Sequence, residues 1–287
     1  MPEATESSSN VPQIDYWNSV AGQTWVQFQE QLDRLIAPLG LEAIRALAPE
    51  SGEHIIDIGC GCGDTTLDLA HRVGPGGRIV GVDISVPMLE VARRRPVPAG
   101  SARPQFRRLD AQTDDLGREV FDAAFSRFGV MFFSDPVAAF ANIGAALKPQ
   151  GRFVFVCWRS LRENPWMNGP LEAALQLMPP MPPSDPTAPG PYAFADRGRL
   201  RSILVEAGFS AVSIEPFDAR IGGADIEATV QLTCRLGPVA AALREYPELH
   251  EKVADALRGV ISTYSTPKGV LMPAAVWIVS ARHEKRA

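Results

Sequence analysis

Long apolar runs, a basic excess and cysteine pairs are all missing from this chain of 287 residues. The longest apolar stretch, residues 269–281, is interrupted by Pro273 and falls well short of the roughly 20 residues a membrane-spanning helix needs. Lys and Arg number 28 against 33 Asp and Glu, a formal net charge of −5, so no cationic stripe suits a nucleic-acid backbone. The four cysteines include no Cys-x-x-Cys pair, and the four histidines are scattered at 54, 71, 250 and 283. That pattern points to reduced structural thiols and to no metal site. Residues 1–11 are polar and lack the basic-then-apolar order of a secretory leader, so they are expected to be a disordered lead on a cytoplasmic protein with neither membrane nor nucleic-acid partner.

What is present is enough apolar material, 46% of residues, for a sizeable core. Trp17, Ala21, Trp25, Phe28, Leu32, Leu35 and Ile36 recur at helical spacing, which suits either a helix docked on a core or a lid over a ligand. From residue 54 onward short apolar runs alternate with helical patterns. Strands are expected at 54–58, 78–82, 105–109, 121–126 and 152–158, with helices at 64–73, from an N-cap Ser85 to about Arg95, and from Asp135-Pro136. Nine of the 25 prolines fall between 165 and 191, which excludes regular structure throughout that stretch. A helix at 196–207, a strand at 211–217, helical periodicity over 225–263 and a last strand at 275–281 complete the pattern. Strands alternating with helices predict a doubly wound α/β fold built on a mostly parallel sheet.

The sharpest signal lies between the first strand and its helix: Asp57-Ile-Gly59-Cys-Gly61-Cys-Gly63-Asp64. Glycines let the backbone approach a ligand closely, and Asp83, closing the second strand, is placed to accept both hydroxyls of a ribose. A nicotinamide fingerprint would require a third glycine at 64, where this chain has Asp, and a carboxylate at that helix start opposes a pyrophosphate. An adenosine-like ligand without phosphates fits better.

These residues, with Gly81-Val-Asp83-Ile-Ser85, Met88-Leu89, Leu109-Asp110-Ala111, Phe121-Asp122, Ser126 and Leu147-Lys-Pro-Gln-Gly151, resemble the class I S-adenosylmethionine-dependent methyltransferases. The similarity is strongest to the small-molecule branch that includes ubiquinone/menaquinone C-methylase-like enzymes. It implies a Rossmann-like sheet of seven strands whose last strand is antiparallel. It also implies S-adenosyl-L-methionine as cofactor, with Gly59 and Gly61 beneath the methionine moiety, Asp57 near its amino group and Asp83 on the ribose. Ile84 and Met88 would flank the adenine, Asp110 and Ala111 would meet its edge, and Ser126 would border the transferring methyl. Trp25 joins this cofactor set from the lid.

A single domain over residues 12–287 is expected, with lid helices at 12–50 and substrate-cover insertions at 159–195 and 222–268. Methyl transfer from a sulfonium depends mainly on holding nucleophile and methyl in line. None of the histidines sits where a base is needed, and Tyr16 and Arg127 are the remaining polar candidates for catalysis. Trp17, Phe128, Trp158, Trp166 and Tyr192 are expected to form an apolar, aromatic acceptor pocket, suiting a small molecule whose acceptor atom stays open; the protein would be a monomer or homodimer. Two other readings remain: a nicotinamide-dependent reductase, for which Tyr264 and Lys268 have the spacing but enclose Pro267, and a noncatalytic S-adenosylmethionine-binding module.

Overall fold

The computed structural model describes residues 10–179 and 185–284. Three helices come first: α1 (Val11–Asn18), α2 (Val20–Gln27) and α3 (Gln29–Leu47). Then follow β1 (His54–Ile58), α4 (Asp64–Val73), β2 (Arg78–Asp83), α5 (Val86–Arg94), β3 (Gln105–Arg108), β4 (Phe121–Arg127), α6 (Pro136–Ala146) and β5 (Leu147–Trp158). The remainder is α7 (Pro165–Leu175), α8 (Arg197–Glu206), β6 (Phe209–Gly222), α9 (Ile226–Arg235), α10 (Gly237–Glu245), α11 (His250–Ser262), β7 (Ser265–Thr266) and β8 (Gly269–His283).

The sheet order is β3-β2-β1-β4-β5-β8-β6, with β8 antiparallel to both of its neighbours and all other pairs on this path parallel. The expected seven strands are therefore present, and the two-residue β7 adds an eighth through a short hairpin with β8. Successive residues of a strand face opposite sides of a sheet. On β5, Phe153 and Phe155 meet Phe140 of α6, while Arg152 turns to the carbonyl of Leu47 at the end of α3, so helices cover both faces.

Some boundaries differ from the sequence reading. The single N-terminal helix breaks after Asn18 and again at Phe28. The first break has a visible partner: the Trp17 carbonyl accepts from the Ser85 hydroxyl. The same contact explains why Ser85, at the N-cap position of α5, makes no side-chain cap. Asp135 and Asp196 do cap their helices, accepting from the amides of Ala138 and Arg199. Residues 1–9 of the expected disordered lead lie outside the described residues, but its last two do not follow that expectation, since Val11 begins α1 and Asn10 is buried.

β6 and β8 run 14 and 15 residues, about twice the expected lengths, and pair from Phe209 opposite His283 to Gly222 opposite Leu271. Between them hang α9, α10 and α11. These helices share a second core with Ala174 and Met178, built from Val230, Leu243, Val253 and Leu257, with Met272 from β8 beneath. Within the proline-rich stretch α7 is regular because Pro165 stands at its first turn; residues 180–184 lie outside the described residues.

Candidate active site

Two crossovers leave the sheet in opposite directions at β1 and β4, and ligands of open α/β sheets bind in the crevice at such a point. There the loop after β1 turns through Gly59, Gly61 and Gly63, all with positive φ. A Cβ on Gly59 would lie 2.7 Å from the Gly129 Cα, in the loop after β4, and one on Gly61 would lie 2.7 Å from Met88 Cε. Gly59 is required by close packing against backbone as well as by its φ, whereas at Gly61 the neighbour is the flexible end of Met88 and the positive φ sets the requirement.

Around this loop three carboxylates are held differently. Asp57, fully buried on β1, accepts from the hydroxyls of Thr65 (2.8 Å) and Thr66 (2.6 Å), while its Oδ1 has no partner. Burial pushes its pKa from 3.8 up to about 6, against the opposing pull of the two threonines and Arg127. Asp83 accepts from the amides of Gly61 and Ser85, both at 2.8 Å, and burial raises its pKa as well. Asp110 accepts from the amide of Gln112 and from the side-chain amide of Asn10, each at 2.9 Å.

The N-terminal helices close over these groups. Asn18 donates to the Ile84 carbonyl and accepts from the Val86 amide, both at 2.9 Å, and Trp17 meets Phe132 edge-on at 4.9 Å. Behind the glycine loop, Arg127 bridges Asp33 of α3 and Asp64 of α4 at 2.9 Å each, and Arg95 pairs with the same two carboxylates at 3.1 Å.

A cavity of about 730 Å³ joins the glycine loop to an apolar chamber. Its end at the glycine loop includes Gly59, Asp83, Ile84, Met88, Asp110 and Ala111. Tyr16, Trp17 and Trp25 line it from α1 and α2, and Phe128, Trp158 and Trp166 from the β4 and β5 side. Phe128 stacks on Trp158 with centroids 4.3 Å apart, and Trp158 packs on Trp166 at 5.0 Å. Phe128 holds φ +64, an uncommon angle for an aromatic residue, at the point where β4 opens into the cavity.

Four expected site residues lie off this wall: Asp57, Gly61, Ser126 and Tyr192. Asp57 sits on β1 just before the glycine loop, and Gly61 lies within that loop. Ser126 is buried with its hydroxyl donating to the Ile58 carbonyl at 2.7 Å, so it ties β4 to β1 instead of facing the cavity. Tyr192 donates to Met167 Sδ, and burial raises its pKa. Arg127 does line the cavity, but both arms of its guanidinium are committed to Asp33 and Asp64. That engagement suits a positioning role better than the catalytic one expected.

No histidine among the described residues lines the cavity, and Asp83 and Asp110 are its carboxylates. All four cysteines are free and buried, and burial moves Cys62 up to about 12 and the others upward too, away from thiolate chemistry. Lys268 falls in the turn between β7 and β8, after α11 has ended, so it shares no helical face with Tyr264. Asn10, Asn18 and the Asp33–Arg95 half of the ion-pair network are site features the sequence pattern did not reveal, because their partners lie 62 to 100 residues away.

The fold and the loop point to an adenosine-type ligand: a buried carboxylate at the end of β2 accepts from the tight glycine turn, and among the described residues the cations at the start of α4 are paired with Asp64. The comparisons sharpen this. Residues 55–151 match the family model of the methyltransferase domain. Aklanonic acid methyltransferase of Streptomyces sp. (strain C5) is 31% identical over 137 residues, covering 46% of this chain and 62% of that protein. Nocamycin O-methyltransferase of Saccharothrix syringae is 29% identical over 224 residues, 75% of this chain and 78% of that protein. Among solved structures, Haemonchus contortus phosphoethanolamine N-methyltransferase 2, in complex with phosphomonomethylethanolamine and S-adenosylhomocysteine, has a TM-score of 0.57 at 17% identity, over 97% of this chain and 61% of that one, a likeness of fold. Residues 55–151 thus form a methyltransferase domain, and the chain is similar to class I S-adenosylmethionine-dependent methyltransferases of the small-molecule type, whose cofactor is S-adenosylmethionine.

Proposed function

We propose that this chain methylates a small, largely apolar or aromatic acceptor, acting mainly by proximity and orientation. The observation that carries the reading is the single cavity running from Gly59, Asp83 and Asp110 to the stacked Phe128 and Trp158. The residues fit the cofactor: Asp57 Oδ1 is a buried acceptor without a donor, and the glycine turn has no room for side chains. Asp57, Gly59 and Gly61 would hold the methionine part, Asp83 the ribose hydroxyls, and Ile84, Met88, Asp110 and Ala111 the adenine. When bound, S-adenosylmethionine supplies a methyl group on a sulfonium.

The chain's own contribution is then to close and align. Trp17 and Trp25 cover the cofactor end and exclude water, while Phe128, Trp158 and Trp166 orient the acceptor. Well-aligned reactants gain an advantage of about 7–11 kcal/mol, enough for much of the acceleration without a dedicated base. Tyr16 lines the wall and is the candidate proton donor or acceptor. Residues 12–50 would act as the lid, and 159–195 with 222–268 as the acceptor cover, in one domain that works as a monomer or homodimer in the cytoplasm without nucleic acid or membrane.

The test is incubation with methyl-labelled S-adenosylmethionine and a metabolite extract, followed by mass spectrometry. Label in a small molecule is the expected result. S-adenosylmethionine binding with no labelled product over a broad acceptor panel would turn the reading to a noncatalytic binder. Tyr16→Phe with full turnover would remove that residue from the chemistry.

A further inference from the structure

Three exposed arginines from three different helices are among the residues that line the cavity, at its solvent side: Arg34 of α3, Arg235 of α9 and Arg244 of α10. Unlike Arg127, none has an ion pair or a hydrogen bond among the described residues. The carboxylates of the wall, Asp83 and Asp110, belong to the cofactor end and accept from backbone and Asn10 donors. No acidic side chain among the described residues lines the cavity near these arginines.

Local contacts join the helices that carry them. The Gln31 side chain donates to the Ala228 carbonyl at 3.1 Å, which joins α3 to α9, and Arg34 lies one turn further along the same face of α3. Arg235 ends α9, and Gly237, with φ +75, starts α10, which carries Arg244 two turns on. The other polar groups of this region are engaged elsewhere: Thr229 donates to the Asp225 carbonyl and Thr233 to the Thr229 carbonyl. The cavity lining therefore offers a ligand exposed guanidinium donors together with the buried apolar side chains of Leu232, Val239 and Met272.

We infer that the acceptor carries an oxyanion, a carboxylate, sulfonate or phosphate, anchored by Arg34, Arg235 and Arg244 while its apolar body lies toward Phe128 and Trp158. Guanidinium groups match such oxyanions with charge-assisted, often bidentate hydrogen bonds. This inference rests on the methyltransferase reading above and names its acceptor class. The anion is an anchor for the acceptor, because oxygen electrons held by guanidinium donors are withdrawn from nucleophilic attack.

The experiment uses the full chain saturated with S-adenosylhomocysteine and two fluorescent probes, anilinonaphthalene sulfonate and its uncharged parent phenylnaphthylamine. Each is titrated into the wild type and into the Arg34→Gln, Arg235→Gln, Arg244→Gln triple variant. The sulfonate is expected to lose affinity by about tenfold or more in the variant, and to weaken with added salt, while the neutral probe changes by less than about twofold. Equal weakening of both probes, unchanged sulfonate binding in the variant, or failure of the sulfonate to bind the wild type would overturn the inference. Calorimetry with S-adenosylhomocysteine on the same samples separates the two levels. Cofactor binding with arginine-independent sulfonate binding rejects this inference alone, whereas no cofactor binding by the wild type rejects the methyltransferase reading.

Discussion

The Asn10 side-chain amide donates to Asp110 Oδ2 at 2.9 Å and its carbonyl oxygen accepts from the Ser134 hydroxyl at the same distance, so the start of the first helix is tied to the loops after β3 and β4. Asn10 is buried, and its partner lines the cofactor end of the cavity. Asn10→Ala removes a hydrogen bond to a charged group, worth about 1.5–3 kcal/mol. Calorimetry should show S-adenosylhomocysteine binding weakened by about tenfold or more, with the loss in the dissociation rate. An affinity equal to wild type would detach Asn10 from lid closure.

Gly59 and Gly129 offer a matched pair. Gly59→Ala incurs both a positive-φ cost, about 1–2 kcal/mol, and displacement of the Gly129 backbone. Gly129 has φ −75, so Gly129→Ala meets the Gly59 Cα and the Ile58 carbonyl oxygen, both 2.8 Å from its new Cβ, with no φ cost. Both variants should lower the thermal midpoint and cofactor affinity, Gly59→Ala more. Equal effects would assign the requirement to the close approach alone.

Asp57 links stability to pH with an unusual sign. Its pKa is about 6 in the folded protein against an ordinary 3.8, so between those values the folded state binds the extra proton and stability falls as pH rises. The cost is complete above pH 6 and amounts to about 3 kcal/mol. Asp57→Asn should therefore be the more stable protein at pH 7 to 8 by roughly 1–3 kcal/mol, with its advantage shrinking as pH falls toward 4. Its S-adenosylmethionine affinity should drop, because the ligand's ammonium loses the carboxylate. For the wild type, affinity should decline as pH falls through about 6, followed by calorimetry in several buffers. A variant less stable than wild type at neutral pH would contradict this account.

Arg127 is 9% exposed at its side chain and bridges carboxylates on α3 and α4. Removing one partner of a buried pair costs about 3–5 kcal/mol, and the partial exposure of Asp64 reduces that figure here. Arg127→Met should lower the thermal midpoint by several degrees, and Arg127→Lys should recover only part of the loss because an ammonium cannot span both carboxylates as a fork. Addition of Asp33→Asn to Arg127→Met should cost less than the two single effects combined, as a double-mutant cycle would read out. Additive losses would mean the two residues do not act as one network.

The β/α alternation, the α4 span, the glycine turn and Asp83 follow from local signals: apolar period, positive-φ glycines and a carboxylate at a strand end, all readable within about ten residues. Those signals determined the sheet and the glycine-loop end of the cavity. Tertiary structure alone decided which polar groups face the ligand. Ser126 and Arg127 stand at a strand end that promises catalysis, yet one is spent on the Ile58 carbonyl and the other on two distant aspartates. Conversely, Asn10 and the three arginines, unpaired among the described residues, have no motif around them. They gain meaning because helices far apart in the chain, docked by non-directional burial of apolar faces, bring their polar edges to one cavity.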